Sequence, residues 1–282
     1  MSDIENQVPV TEFEQLLQEL EKSHLTSLQP KPESNKCPYG CDENGFIWTT
    51  AQNGTDMAKE CVCRKKKVES KRITFANIPD AFKGMMLENF HNDIYRQDNS
   101  RRDINILLKA IRLYLEQIES HKATGKGLYI YSDVKGSGKT RMAASIANEL
   151  MKNHDTRVKF ATSSKIVQEI KNTFDKETRS CTQSELISAL CTAEVLIIDD
   201  FGIEKISDFV NENFYNIINE RYNNNKITIY TSNYSQQDLP YEDRIKSRVK
   251  EKTFILHFPE ESVRDYIADN DNVNLINGLR RN

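Results

Sequence analysis

The segment Leu128–Leu150, LYIYSDVKGSGKTRMAASIANEL, decides how this 282-residue chain folds. It opens with a short apolar run, Leu128–Tyr131, crosses a loop that ends in Gly136, Ser137, Gly138, Lys139 and Thr140, and continues with helical character. In that strand–loop–helix order, glycines let successive backbone N–H groups turn toward one point, and the helix start adds the positive end of its dipole. A lysine at position 139 reaches the β and γ phosphates of a bound nucleotide, and a threonine at 140 offers its hydroxyl to Mg²⁺. These five residues are therefore a candidate triphosphate site. The G-x-x-x-x-G-K-T pattern departs at its first position, where Asp133 stands. An acid there is unfavourable beside phosphates unless it points away.

Working outward, the runs Leu128–Tyr131, Val158–Ala161, Val195–Ile198, Ile227–Tyr230 and Phe254–Phe258 are short and apolar, with helical patterns between them. That alternation predicts buried parallel strands joined by crossover helices, a three-layer α/β domain. The third run ends in Asp199 and Asp200, at the strand tip where metal chemistry needs carboxylates. Asp199 is expected to hold Mg²⁺, and Asp200 to orient or deprotonate the attacking water. One strand–helix unit separates the two motifs, which leaves room for another strand between them. The run ITIYTSN is the candidate, and it would bring Thr231, Ser232 and Asn233 near the γ phosphate. The Asn233 amide can hold a water without adding charge. Upstream, residues 101–121 carry Ile104, Leu107, Leu108, Ile111, Tyr114, Leu115 and Ile118 at helical spacing, predicting one helix packed on the core.

Composition gives 38% hydrophobic and 29% charged residues, with a formal net charge of -3, which describes a chain with material for a core and argues against nonspecific coating of nucleic acid. No run approaches a membrane span and no signal-peptide pattern opens the chain, so a cytosolic location is expected. Three parts are expected: residues 1–30 an amphipathic helix and linker, 31–72 a metal module with a basic linker, and 73–282 the α/β domain. The first helix spans 11–24, with Phe13, Leu16, Leu17 and Leu20 on one face and Thr11 and Glu14 spaced as a capping box. Of six cysteines, Cys37, Cys41, Cys61 and Cys63 lie close together, and four thiolates close a tetrahedral zinc site that stabilises a unit too small for its own core. Cys181 and Cys191 are assigned to packing. The stretch RKKKVESKR at 64–72 supplies a basic patch after the last of the four.

Taken in series, IPDAFKGMMLENF, GSGKT, VLIIDDFG, FYNIINERYNNN, TIYTSNYS and DRIKSRV resemble the DnaC-type bacterial and phage helicase loaders, which share an ATPase domain with IstB-type transposition helpers. The resemblance implies an AAA+ fold with strand order 5-1-4-3-2 and a reduced lid, ATP-dependent self-association, and binding to a DnaB-type hexameric helicase. It also implies that Lys139 and Thr140 are the phosphate-loop pair, Asp199 and Asp200 the acidic pair, and Asn233 a sensor. Arg248 matches the arginine projected into a neighbour's ATP site, with Arg244 one helical turn before it, and Arg264 matches the second sensor, contacting nucleotide. A similar cysteine-bearing region grips the helicase in related loaders. Single-stranded DNA contact would then fall to Lys165, Lys171, Lys176 and Phe174, with Lys65–Lys67 adding charge. Two other classes stay open: a transposition helper acting with a transposase on duplex DNA, which should lack the zinc module, and an interaction protein without turnover.

Overall fold

The structure is a computed structural model that describes residues 37, 40–42, 46–50, 56–61, 63–64, 76–174 and 182–279. The expected helix over 11–24, Lys65–Lys67, Lys176 and Cys181 lie outside these residues. The chain divides into two units, residues 1–67 and 68–282.

In the first unit, β1 (Phe46–Thr50) and β2 (Asp56–Glu60) form an antiparallel hairpin in which Phe46 faces Glu60 and Thr50 faces Asp56. The Asp42 carboxylate ties down its entry by accepting from the Phe46 N–H at 2.8 Å and from Trp48 Nε1 at 2.9 Å.

The second unit is built on a parallel sheet of β3 (Gly127–Tyr131), β4 (Val158–Thr162), β5 (Val195–Asp199), β6 (Ile227–Ser232) and β7 (Thr253–His257). The strands lie in the order β4-β5-β6-β3-β7. Counted within this sheet from its far edge, that is 5-1-4-3-2, with the ITIYTS strand inserted between the strands of the two motifs. Successive side chains on a strand point to opposite faces, and here they divide into two cores. Leu128, Ile130, Ile197 and Ile229 join one, with residues of helices α1 (Asp98–Glu116) and α3 (Lys139–Asn153). Tyr129, Leu196, Ile198 and Tyr230 join the other, with residues of α4 (Ser163–Asn172), α5 (Gln183–Thr192), α6 (Asp208–Asn223) and α7 (Asp243–Glu251). β3, β5 and β6 are apolar on both sides because both sides are covered, whereas the edge strand β7, expected to be buried, leaves Phe254 and Ile255 exposed.

The helix expected over 101–121 is instead two. α1 ends at Glu116 and α2 (Ile118–Thr124) follows after a bend at Gln117. The bend folds His121 onto the Tyr114 ring, centroids 4.4 Å apart, while the Tyr114 hydroxyl donates to the Lys126 carbonyl at 2.8 Å. Both contacts steer the chain into β3. Periodicity could not reveal the break, because Ile118 continues the apolar spacing across it. α4 likewise stops at Asn172, so Phe174 stands beyond the helix that carries Lys165 and Lys171.

Arg221, on α6, is fully buried, and the groups it donates to are neutral. Its guanidinium bonds the carbonyls of Leu190, Cys191, Ala193 and Ile227 and the Thr228 hydroxyl, clamping the end of α5 to the start of β6. Burial holds it below the usual arginine range, at about 10. After β7 a single helix follows among the described residues, α8 (Val263–Leu279), in keeping with a reduced lid.

Candidate functional site

At the tip of β3 the chain turns through residues 132–138 and enters α3 at Lys139. Gly136 has φ +79° and Gly138 φ +101°, the left-handed region that a side chain disfavours. Space is short as well: a Cβ on Gly136 would stand 2.9 Å from Arg264 Cβ, and one on Gly138 would stand 3.0 Å from the Tyr95 hydroxyl. Asp133, where the pattern has glycine, does not have positive φ, so the backbone here accepts an acid. Its side chain is exposed and does not line the adjoining cavity. The N–H groups of Asp133 and Val134 and the Ser132 hydroxyl all donate to the Glu260 carboxylate, at 3.3, 3.0 and 3.1 Å, and His257 Nε2 lies 2.7 Å from it. Glu260, just past the end of β7, thus holds the first turn of the loop.

Lys139 is buried, and its ammonium donates to the Ser132 and Val134 carbonyls at 3.0 and 2.9 Å. Burial lowers its pKa, opposed by the negative charges of Asp200, Glu260, Asp199 and Asp133. The neighbouring Thr140 hydroxyl donates to Asp199 Oδ1 at 3.0 Å, and Thr231 donates to the same oxygen at 2.5 Å. Asp199 is 3% exposed, and burial pushes its carboxyl up to about 6, with Asp200 adding to the rise and the two threonine bonds opposing it. A buried carboxylate whose other oxygen remains for a ligand, beside a threonine hydroxyl, is a hard-cation donor set that fits Mg²⁺. Asp200, with φ +55°, donates its N–H to Thr231 Oγ1 at 2.9 Å.

Lys139, Thr140, Asp200, Asn233 and Arg264 meet around one cavity of about 510 Å³, within the range of small-molecule sites. Apolar side chains, Phe82, Phe90, Ile94, Val263 and Ile267, line it as well. Sequence reading singles out none of these five. Nor does it point to Tyr95, whose hydroxyl donates to the Ser137 carbonyl at 2.6 Å, or to Glu260. Phe82 and Phe90 do lie in the stretch IPDAFKGMMLENF, but only tertiary folding brings that stretch onto the loop.

Arg248 does not line this cavity. It donates to Asn219 Oδ1 at 2.9 Å and to the Arg244 carbonyl at 2.7 Å, and both arginines lie over the Tyr215 ring. Arg244 also pairs with Glu242 at 2.6 Å. On α4, Lys165 pairs with Glu169 at 2.7 Å, and Phe174 is exposed.

In the first unit the sulfurs of Cys37, Cys41, Cys61 and Cys63 lie within 4.8 Å of one another, with Cys37–Cys61 at 3.5 Å and Cys41–Cys63 at 3.2 Å. A tetrahedral ion with bonds of about 2.3 Å requires sulfur separations of about 3.8 Å, which this cluster fits. Gly40, with φ +69°, closes the first turn, its N–H donating to the Cys37 carbonyl at 2.9 Å. The Cys63 thiol is pushed well up by its Cys41 neighbour. Crowded thiols keep their protons unless a cation compensates the thiolates.

A five-stranded parallel sheet in this order, with a lysine-bearing glycine loop leading from the strand paired to β6 and β7, defines a P-loop domain of the AAA+ type. A family model described as the bacterial DnaA ATPase domain matches residues 109–255, and the chain belongs to that family. It is 26% identical over 237 residues to the phage-like element PBSX protein XkdC of Bacillus subtilis, covering 80% of this chain and 84% of that protein. To the replicative helicase loader DnaC of Buchnera aphidicola it is 23% identical over 245 residues, covering 85% and 94%. Among solved structures, a DnaC helicase loader superposes with a TM-score of 0.53 at 26% identity, over 64% of this chain and 100% of that one. The loader names are those to which the motif order pointed. Among the described residues no helix is long and apolar enough to cross a membrane.

Proposed function

We propose that this chain is an ATP-dependent loader that binds a DnaB-type hexameric helicase and delivers it onto single-stranded DNA during replication. The observation that carries the reading is the convergence of Lys139, Thr140, Asp200, Asn233 and Arg264 on a nucleotide-sized cavity, with Asp199 held behind Thr140, in a chain whose relatives are named helicase loaders. In this reading the backbone N–H groups of Gly136, Ser137 and Gly138 and the Lys139 ammonium grip the β and γ phosphates. The apolar side chains, Phe82 to Ile267, take the base. Thr140 and Asp199 hold Mg²⁺, which neutralises charge on the phosphate oxygens when bound. Asp200 orients and deprotonates the attacking water, Asn233 holds it, and Arg264 contacts the nucleotide from its own subunit. Arg248, outside this cavity, serves a neighbouring subunit's site, so turnover depends on self-association. The four cysteines bind zinc, and that unit contributes helicase contact. The protein acts in the cytosol.

The test measures ATP hydrolysis by the purified chain with and without single-stranded DNA, and the mass of its complex with a DnaB-type helicase. Turnover that requires Lys139, together with a stable complex, is expected. A chain that binds no ATP with Mg²⁺ refutes the ATPase reading. Active turnover with no helicase complex, joined to binding of duplex DNA and a transposase, would favour the IstB-like alternative.

A further inference from the structure

The turn that presents Asp200 is held from two sides, and one of them contains a carboxyl group with no part in the chemistry above. A left-handed φ of +55° is unfavourable for a residue with a Cβ and persists only where its surroundings fix it. Thr231 fixes the N–H side. On the other side the Asp200 carbonyl accepts from the hydroxyl of Ser163, the first residue of α4, at 2.7 Å. The same Ser163 oxygen lies 2.5 Å from Oε2 of Glu204, four residues beyond Asp200 in the chain.

A serine hydroxyl has one proton, and a backbone carbonyl oxygen has none to give. The Ser163 hydroxyl reaches both acceptors but can satisfy only one, so both contacts close together only if Ser163 donates to the Asp200 carbonyl and Glu204 supplies the second proton. With Glu204 ionised, Ser163 would turn its hydrogen toward the carboxylate, leaving two oxygens facing each other across 2.7 Å at the Asp200 carbonyl. Burial raises the Glu204 pKa and the charge of Asp200 adds to the rise, while the Ser163 contact and the backbone N–H groups of Gly202 and Glu204 oppose it. On α4, Lys165 is engaged with Glu169.

We propose that Glu204 is a positioning residue for hydrolysis: as a neutral acid it donates to Ser163, which holds the Asp200 carbonyl and so fixes the turn that aims the Asp200 carboxylate. The proposal rests on the role given to Asp200 above and adds a directional hydrogen-bond chain, Glu204 to Ser163 to Asp200, between α4 and the water-activating group.

The experiment compares steady-state ATP hydrolysis, Mg-ATP affinity and the pH–rate profile of the full chain with those of E204Q, E204A and S163A. A glutamine amide donates to Ser163 at every pH, so E204Q is expected to keep turnover within about twofold at neutral pH. It should also hold its rate as pH rises through the range where wild-type Glu204 ionises and the wild-type rate falls. E204A and S163A are expected to lose about tenfold or more in turnover with nucleotide affinity little changed. E204Q as impaired as E204A, or E204A with the wild-type rate and pH profile, overturns the proposal. Should E204A fail to fold, the near-isosteric E204Q still decides through its pH profile. Absence of hydrolysis in the wild-type chain removes both this proposal and the function it rests on, whereas active wild type with indifferent Glu204 variants removes this one alone.

Discussion

Replacing Arg221 with methionine tests how the end of α5 is held to the start of β6. The native guanidinium serves four carbonyls and one hydroxyl, all within 3.2 Å, in a site where it is 1% exposed. Methionine fills most of the volume and donates nothing. Each buried acceptor left without a donor costs about 1–3 kcal/mol, offset in part because a buried cation no longer has to be desolvated. A net loss of about 3–5 kcal/mol is expected. At about 2–4 °C per kcal/mol for a domain of this size, the melting temperature should fall by about 6–20 °C. Urea unfolding followed by circular dichroism gives the same quantity as a lowered midpoint with unchanged slope. Arg221→Lys retains a donor but not the planar fork, and should fall between the two. An Arg221→Met chain destabilised by less than about 1 kcal/mol would refute the reasoning, since the carbonyls would then be satisfied some other way.

Three further expectations follow from the site. Lys139→Ala should keep the fold at some cost in stability, because the Ser132 and Val134 carbonyls lose a donor, and should lose at least about tenfold in Mg-ATP affinity, read by calorimetry. Thr231→Val keeps volume but removes both the donor to Asp199 and the acceptor for the Asp200 N–H. It should cost about 1–3 kcal/mol in urea unfolding and lower turnover more than nucleotide affinity. Cys37→Ser or Cys61→Ser should lower bound zinc below one equivalent in metal analysis while leaving the melting of residues 68–282 unchanged.

The polar residues of the site were readable because phosphate chemistry demands particular residues at short spacing, and Lys139, Thr140, Asp199 and Asp200 announce themselves locally. Its other components carry no such signal. Tyr95 reaches the Ser137 carbonyl from 42 residues away, and Glu260 reaches the Val134 N–H from 126. Tyrosine and glutamate at those positions look like ordinary loop residues until folding brings them to the phosphate loop. Arg221 is similar: it stands in FYNIINERYNNN, a stretch notable only by resemblance, and the structure supplies the reason an arginine belongs there.

Sequence alone determined the strand–loop–helix unit, the five apolar runs and the clustering of four cysteines, because each follows from periodicity or from chemistry at short spacing, whereas the place of the ITIYTS strand came as a candidate and through the family resemblance. Tertiary structure alone decided where α1 breaks, how Asp133 is tolerated and which apolar side chains line the cavity. It also brought Ser163 and Thr231 to the backbone of Asp200. These depend on groups distant in the chain meeting in a dry interior, where a single proton or carbonyl without a partner is too costly to leave unmatched.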